Sequence, residues 1–402
     1  MLRSDPAEEL ESRPWAPNSA LLFAQLVAAR HVIVLNDPTR LTDASNKTYF
    51  QHFPEELRPE TCITLDPDEI KSFIAAHDGY GVIKPLQGSG GQSVFVVTPE
   101  SGANLNQMIE AIGRDGYIIA QSYLPAASKG DIRLFLMNGA PLKIGATVYL
   151  CSARNKLFAL DAATGQQKWT YDPQVADNQI PYTAACRGVT YHARANADPA
   201  QPCATKIIEG TLDGRIIAVD ARTGRPCPAF GRNGQVDIKV GMGDPYPGMV
   251  SITSAPVIVR GVIVTGHQVL DGQKRWNASG VIQGFDVETG ELRFAWDMMR
   301  PDRNGLPPEG ETYTPGTPNM WTTASVDENL GLVYLPMGNS AADYWSSSRR
   351  PLEKQYSTAL VALDVTTGKP RWHFQTVHND VWDFDLGSQA TLIDYPTPNG
   401  VT

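Results

Sequence analysis

Five short stretches in the later part of the chain carry cations, carboxylates, amides and an indole at close spacing. They read Ala185-Cys186-Arg187-Gly188-Val189-Thr190-Tyr191-His192, Gly266-His267-Gln268-Val269-Leu270-Asp271, Thr317-Pro318-Asn319-Met320-Trp321, Leu335-Pro336-Met337-Gly338-Asn339 and His378-Asn379-Asp380-Val381-Trp382-Asp383. A carboxylate can take a proton or hold a hard cation, an arginine can fix an anion, and an indole can stack on a planar ring. Each stretch also has an ordinary reading. Arg187 can be a surface charge, His192 a loop histidine, and His378, Asp380 and Asp383 a hydrogen-bonded loop brace. Spacing alone does not locate a cleft, so both readings stand at this level.

A sixth stretch lies near the start. Gly81-Val82-Ile83-Lys84-Pro85 reads as a strand ending in a lysine, followed by Gln87-Gly88-Ser89-Gly90-Gly91 and a returning strand over 94–97. Backbone N–H groups of a glycine loop can close on phosphate oxygens, and Lys84 adds a point charge. No Gly-Lys-Ser/Thr follows, so this is not a Walker loop, and a plain hairpin turn is the alternative.

Two different scaffolds must position these residues. Up to residue 142 the chain reads as α/β: a helix over 20–30 with Leu22, Leu26 and Ala29 on one face, a strand over 32–35, and a helix opened by Asp66-Pro67-Asp68-Glu69. A helix over 106–114 and a strand over 117–121 follow. From Lys143 the pattern changes to short apolar strands over 147–151, 157–160, 207–209, 216–219, 257–259, 262–265, 281–285, 332–336 and 359–363, punctuated by Gly and Pro. Ala/Gly-apolar-Asp-x-x-Thr-Gly occurs four times there, with its Asp at 161, 220, 286 and 364. Those spacings exceed the roughly 40–50 residues of a four-stranded propeller blade, and the surplus supplies loops. The repeat itself reads as architecture: the Asp accepts turn N–H bonds, the Gly takes positive φ, and the following aromatic wedges between blades. The fold class expected is thus multidomain, an α/β segment over 1–142 followed by an all-β, incomplete propeller of about four blades over 143–402.

Bulk properties narrow the functions. A net charge of −9 with no basic block argues against nucleic acid or an anionic membrane surface as partner. No apolar run is long enough to span a bilayer, and the acidic N-terminus lacks the apolar core of a secretory signal. The five cysteines form no CxxC pair, so metal-ligand spacing is absent. Cys186 and Cys203 flank a loop and can pair in an oxidising compartment; free thiols are the plainer expectation.

The first segment resembles the ATP-grasp core of bacterial glutathione synthetase. Arg3-Ser4-Asp5-Pro6, Asn46-Lys47, Ile83-Lys84-Pro85-Leu86, Gly88-Ser89-Gly90-Gly91, Ala120-Gln121-Ser122-Tyr123-Leu124-Pro125 and Gly130-Asp131-Ile132-Arg133 carry the resemblance. It implies ATP and magnesium as ligands, with Lys47 and Lys84 on the phosphates and Gly88, Ser89, Gly90 and Gly91 covering them. Gln121, Tyr123 and Leu124 would form the adenine hinge, while Asp131 and Arg133 would face nucleotide or acyl phosphate. The match stops near Leu142, before the family's magnesium ligands, which weakens any expectation of ligase chemistry.

From about Leu142 the chain resembles the quinoprotein (PQQ-dependent) dehydrogenases, most nearly the membrane-bound glucose dehydrogenase branch. Leu-Pro-Met-Gly and Thr-Val-His-Asn-Asp-Val-Trp-Asp, with the repeat, carry this resemblance. It implies an eight-bladed ring around pyrroloquinoline quinone (PQQ) and calcium, a small-molecule aldose or alcohol substrate and a quinone electron acceptor. By resemblance Asp380 is the general base, with Asp383 in reserve. Asp271 and Asn339 are calcium ligands, Trp321 the plate under the cofactor, Arg187 a partner of a cofactor carboxylate and His192 a substrate-side residue. That family is periplasmic and membrane-anchored, whereas this chain shows neither signal nor span, so localisation stays open. Two other functions remain: an ATP-dependent ligase fragment with a β tail, and a non-catalytic propeller-like binding module.

Overall fold

The computed structural model describes residues 16–30, 39, 47–86, 93–114, 116–125, 136–137, 140–141, 143–181, 184–270, 277–392, 396–397 and 400–401. The chain forms two compact units, residues 1–130 and 131–402.

In the first unit a four-stranded antiparallel sheet runs in the order Thr61–Thr64, Ile118–Gln121, Gly81–Pro85, Phe95–Val97. Helices Pro67–Ala76 and Leu105–Gly113 bring Ile70, Ile74, Ile109 and Ile112 to a core shared with Ile83, Val97 and Ile118. The Asp66 carboxylate accepts from the Asp68 N–H at 2.8 Å and Pro67 takes the first turn, so the helix starts where its capping signal places it. A helix forms where one was expected over 20–30, but it runs over Ala16–Ala28, and Leu22 and Leu26 on its apolar face are 60% and 65% exposed. The strand expected over 32–35, the glycine loop with Gly88, Ser89, Gly90 and Gly91, and Asp131 and Arg133 lie outside the described residues.

The second unit carries four four-stranded antiparallel sheets, spanning 143–171, 190–237, 257–296 and 325–375. Their cores lie between successive sheets. Trp169, Ile207 and Ile217 join the first to the second; Phe230, Ile263 and Phe285 the second to the third; Phe294, Val333 and Val361 the third to the fourth. Few strands alternate cleanly between apolar and polar residues, because both faces of a middle sheet are covered. The result is the incomplete, four-bladed propeller expected from the repeat.

Each repeat makes the same corner. Oδ1 of Asp161, Asp220, Asp286 and Asp364 accepts from the backbone N–H groups two and three residues on, at 2.8–3.1 Å. The glycines that close the corners take φ of 64–72°, where a Cβ would be strained. These bonds hold the Asp161 carboxyl at about 2. At Asp286, burial pushes up but Arg293 and the corner N–H groups outweigh it, again to about 2.

The cysteines correct the sequence reading. Cys151 is bonded to Cys186 and Cys203 to Cys227, which leaves Cys62 as the free thiol. The first bond ties a strand of the first sheet to the loop leading into the second; the other closes within the second sheet's own segment. Cys186 and Cys203 are therefore not partners: each lies nearer, in space, to a cysteine of another strand or corner. No described helix is long and apolar enough to cross a membrane.

Candidate active site

Loops at the ends of the second unit's strands bring most of the proposed site residues together. Trp321 precedes the strand Ser325–Asp327, Asn339 follows Leu332–Pro336, and the 380–385 segment follows Lys369–Gln375. Arg187 enters from the loop before Thr190–Ala193, and its guanidinium carbon lies 5.0 Å from the Trp321 ring centroid, a cation–π contact. The backbone N–H and Nη1 of Arg187 both donate to the Thr253 carbonyl, at 3.1 and 3.2 Å. Thr253 and Ser254 hydroxyls in turn donate to the Trp321 carbonyl at 2.9 and 2.8 Å. The indole and the guanidinium are thereby fixed to one support.

The hub of the group is Asp385, a residue that sequence reasoning passed over. Its Oδ2 accepts from the Trp321 indole N–H at 2.7 Å, and its Oδ1 accepts from the Asn339 backbone N–H at 2.6 Å. A Cβ on Gly338 would stand 3.0 Å from both Asp385 Oδ1 and Asn319 Oδ1, so a larger residue would press on both oxygens. The Asn339 side-chain amide donates to the carbonyls of Asp343 and Asp380, both at 3.2 Å. The one signal that could have found Asp385 is the spacing in Trp382-Asp383-Phe384-Asp385, where two carboxylates alternate with aromatics.

Asp380 is 1% exposed, and both its oxygens accept local bonds. Oδ2 accepts from the Thr358 hydroxyl at 2.8 Å and the Phe384 N–H at 2.9 Å, while Oδ1 accepts from the Trp382 N–H at 3.0 Å. This is the geometry of a turn brace. Asn379, Asp383 and Asp385 all take positive φ of 49–57°, the sharp path that the brace closes. Asp383 is exposed where Asp380 is buried. Arg349, 5% exposed, donates through Nη2 to the Ala342 and Asp343 carbonyls. Burial lowers its pKa, while the charges of Asp380, Asp343, Glu353 and Asp383 act to raise it.

Two expected members stand elsewhere. His192 Nε2 pairs with Glu288 Oε1 at 2.9 Å, in a cluster where Lys206 and Arg194 bond the same carboxylate. Burial opposes ionisation of Glu288, but Arg194, Lys206 and His192 outweigh it and hold the carboxyl at about 2. Asp271 lies outside the described residues.

In the first unit Lys47 Nζ donates to the Pro85 carbonyl at 2.8 Å, beside Lys84. Burial lowers the pKa of both lysines, and the Lys84 charge lowers that of Lys47 further. Gln121 Nε2 donates to Thr61 Oγ1 at 2.9 Å, Tyr123 stacks on Tyr80 at 6.2 Å, and Leu124 is 51% exposed.

Residues 122–402 match the family model described as the glucose/ethanol/alcohol dehydrogenase β-propeller domain of PQQ proteins. The chain belongs to the PQQ dehydrogenase β-propeller family. Residues 46–165 also match the prokaryotic glutathione synthetase ATP-grasp domain, so the chimeric character read from sequence holds. Among curated relatives, the glycerol dehydrogenase large subunit of Gluconobacter oxydans is 52% identical over 271 residues, covering 67% of this chain and 36% of that protein. The quinoprotein glucose dehydrogenase of Escherichia coli is 44% identical over 265 residues, covering 65% and 33%. A solved quinohemoprotein alcohol dehydrogenase from Comamonas testosteroni aligns at 25% identity with a TM-score of 0.46, over 64% of this chain and 37% of that one. The chain thus spans about a third of the length of these curated relatives.

Proposed function

We propose that the second unit is the PQQ-binding half of a dehydrogenase that oxidises a polyol, an aldose or a related alcohol and passes electrons to a quinone acceptor. The observation that carries this reading is Asp385, which joins the Trp321 indole, the Asn339 loop and the 380–385 segment through two short hydrogen bonds. A scaffold protein has no need of an indole, a cation and several carboxylates at one place.

The residues suit the implied groups. Trp321 offers a π surface to a planar quinone, and Arg187 a cation for one of its carboxylates. Asp385, Asn319 and Asn339 supply hard oxygen donors of the kind calcium takes, with Asp271 as the further ligand suggested by resemblance. When bound, the quinone supplies the hydride acceptor and the calcium polarises its carbonyl.

The chain's own chemistry is proton removal and orientation. The sequence reading named Asp380 as base and Asp383 as reserve, and accessibility reverses that order. A base must reach the substrate hydroxyl and have an oxygen to receive the proton. Asp380 is buried and braces the turn through Thr358 and the N–H groups of Trp382, Phe384 and Asp385, so the exposed Asp383 receives the proton and Asp380 holds the turn in place. His192, committed to Glu288, has no substrate role in this reading.

For the first unit the proposal is limited to nucleotide phosphate binding at Lys47 and Lys84, with magnesium carried by the nucleotide. The test for the second unit is PQQ with calcium titrated against tryptophan emission, then dye reduction with glycerol or glucose. Asp383→Asn should lower turnover about 10²–10⁴-fold with PQQ affinity kept. No PQQ binding at micromolar cofactor would refute the reading for this chain, and unchanged turnover in Asp383→Asn would refute the assignment of the base.

A further inference from the structure

Glu209 is the one carboxylate, among the described residues, with a buried oxygen that nothing bonds. It lies in the strand Thr205–Gly210 of the second sheet and is 0% exposed. Oε2 has no hydrogen-bond partner there, and Oε1 accepts from the Asn155 side-chain amide at a long 3.3 Å. Arg215, whose charge reaches the carboxyl, is committed to Asp213, Gln235 and the Pro173 carbonyl. A buried polar group in that state calls for a ligand or a cause.

What the carboxyl faces is sulfur. Cys186 Sγ lies 3.6 Å from Oε1, and the Sγ atoms of Cys151 and Cys186 and a Glu209 carboxylate oxygen all stand within 4.8 Å of one another. In the bridged state neither sulfur has a proton to give, so the contact satisfies nothing. Cys151 closes the strand Thr147–Cys151 of the first sheet, and Cys186 lies in the loop before Thr190–Ala193. Asn155, itself 0% exposed, accepts the Leu212 N–H at 2.9 Å and donates to the Gly210 carbonyl at 3.3 Å. Held in this way, it orients the carboxylate as outer-shell partners orient ligands.

We propose that Cys151, Cys186 and Glu209 form a site for a borderline-soft divalent cation, zinc being the type, which opens when the bridge is reduced. A dithiol reductant supplies two electrons and two protons. The S–S bond becomes two thiols, and the reductant closes to a cyclic disulfide. The cation then displaces both thiol protons and the proton that burial keeps on Glu209, and binds two thiolates and a carboxylate, with water as fourth ligand. Tetrahedral bonds of about 2.0–2.3 Å hold ligands roughly 3.5 Å apart, so these atoms need only small side-chain movements. Bridge and cation are alternative ties between the first sheet and the loop that carries Arg187.

The test uses the full chain, reduced with a dithiol, freed of it by gel filtration without oxygen, and titrated with cobalt(II) and then zinc(II). One equivalent of cobalt should bring up a near-ultraviolet thiolate-to-cobalt charge-transfer band, which zinc abolishes; the unreduced chain should show none. Cys186→Ser should remove the band. Glu209→Gln keeps the side-chain volume and a neutral group, and should weaken cobalt binding beyond the roughly 10–100-fold of an outer-shell change. X-ray absorption of the zinc-loaded wild type, which needs no variant to fold, should show two sulfurs at about 2.3 Å and oxygen at about 2.0–2.2 Å. No band in the reduced wild type, or an unchanged affinity in Glu209→Gln, would overturn the proposal. So would a zinc shell of more than two sulfurs, or a band that survives Cys186→Ser and so belongs to Cys62, Cys203 or Cys227.

Discussion

His267 gives the second unit an acid-sensitive core. It sits in the loop after Val262–Thr265, is 1% exposed, and donates through Nε2 to the Ser279 carbonyl at 2.7 Å, while Nδ1 has no hydrogen-bond partner among the described residues. Burial pushes its pKa down to about 4, against an ordinary value of 6.5, and the bond to Ser279 only partly offsets this. The sign follows from proton uptake. Between pH 6.5 and 4 the unfolded chain binds a proton that the folded chain refuses, so stability is full above 6.5 and falls as pH drops through that window. From pH 7 to 4.5 the loss from this one group is about 2.5 kcal/mol.

Glu209 works in the opposite direction. It is fully buried, and desolvation raises its pKa well above 4.5, so its stability contribution is lost as pH rises and recovered as pH falls. The wild-type pH profile therefore mixes two opposed terms, and only a difference between variants isolates the histidine. His267→Gln keeps an N–H donor for Ser279 and removes the titration. Urea unfolding followed by tryptophan emission reads the second unit, since every tryptophan except Trp15 lies there. The drop in unfolding free energy between pH 7 and pH 4.5 should be smaller in His267→Gln than in wild type by about 2.5 kcal/mol. Equal drops in the two proteins would refute the assignment of a buried neutral histidine. Stopping at pH 4.5 keeps the carboxyls near 2, Asp161, Asp286 and Glu288, essentially ionised in the folded state.

The two aspartates of the 380–383 turn should separate cleanly by thermal or urea unfolding. Asp380→Ala removes the acceptor of the Thr358 hydroxyl and three backbone N–H groups and should cost about 2–4 kcal/mol, whereas the exposed Asp383→Ala should stay within about 0.5 kcal/mol of wild type. Equal costs would remove the ground for calling one a brace and the other a base. In the first unit, millimolar Mg-ATP should raise the melting temperature, and Lys84→Ala should abolish that rise; an undiminished shift in the variant would place the nucleotide elsewhere.

Features with local causes were the legible ones. Asp161, Asp220, Asp286 and Asp364 bond the N–H groups of their own corners, so the motif predicts the turn without knowledge of the fold. Strands at 147–151, 257–259, 262–265 and 332–336 likewise appear at the residues their apolar runs mark. The disulfides were not legible, because Cys151 meets Cys186 only once the first sheet has packed on the second. The burial of Asp380 was not legible for a related reason: the bond from Thr358 comes from the end of another strand. Asp385 escaped notice since its partners stand 64 and 46 residues away.

That last carboxylate ties the Trp321 indole to the Asn339 loop. Each Asp385 oxygen accepts an N–H, one from the indole and one from the Asn339 backbone. The indole orientation and the Asn339 loop then share one anchor, so a loss at Asp385 loosens both together. Trp321 alone could be replaced by another flat side chain with the loops still joined. Replacing Asp385 by alanine leaves an indole N–H and a partly buried backbone N–H without acceptors, a cost of about 1–3 kcal/mol for each that falls wholly on the loops around the site.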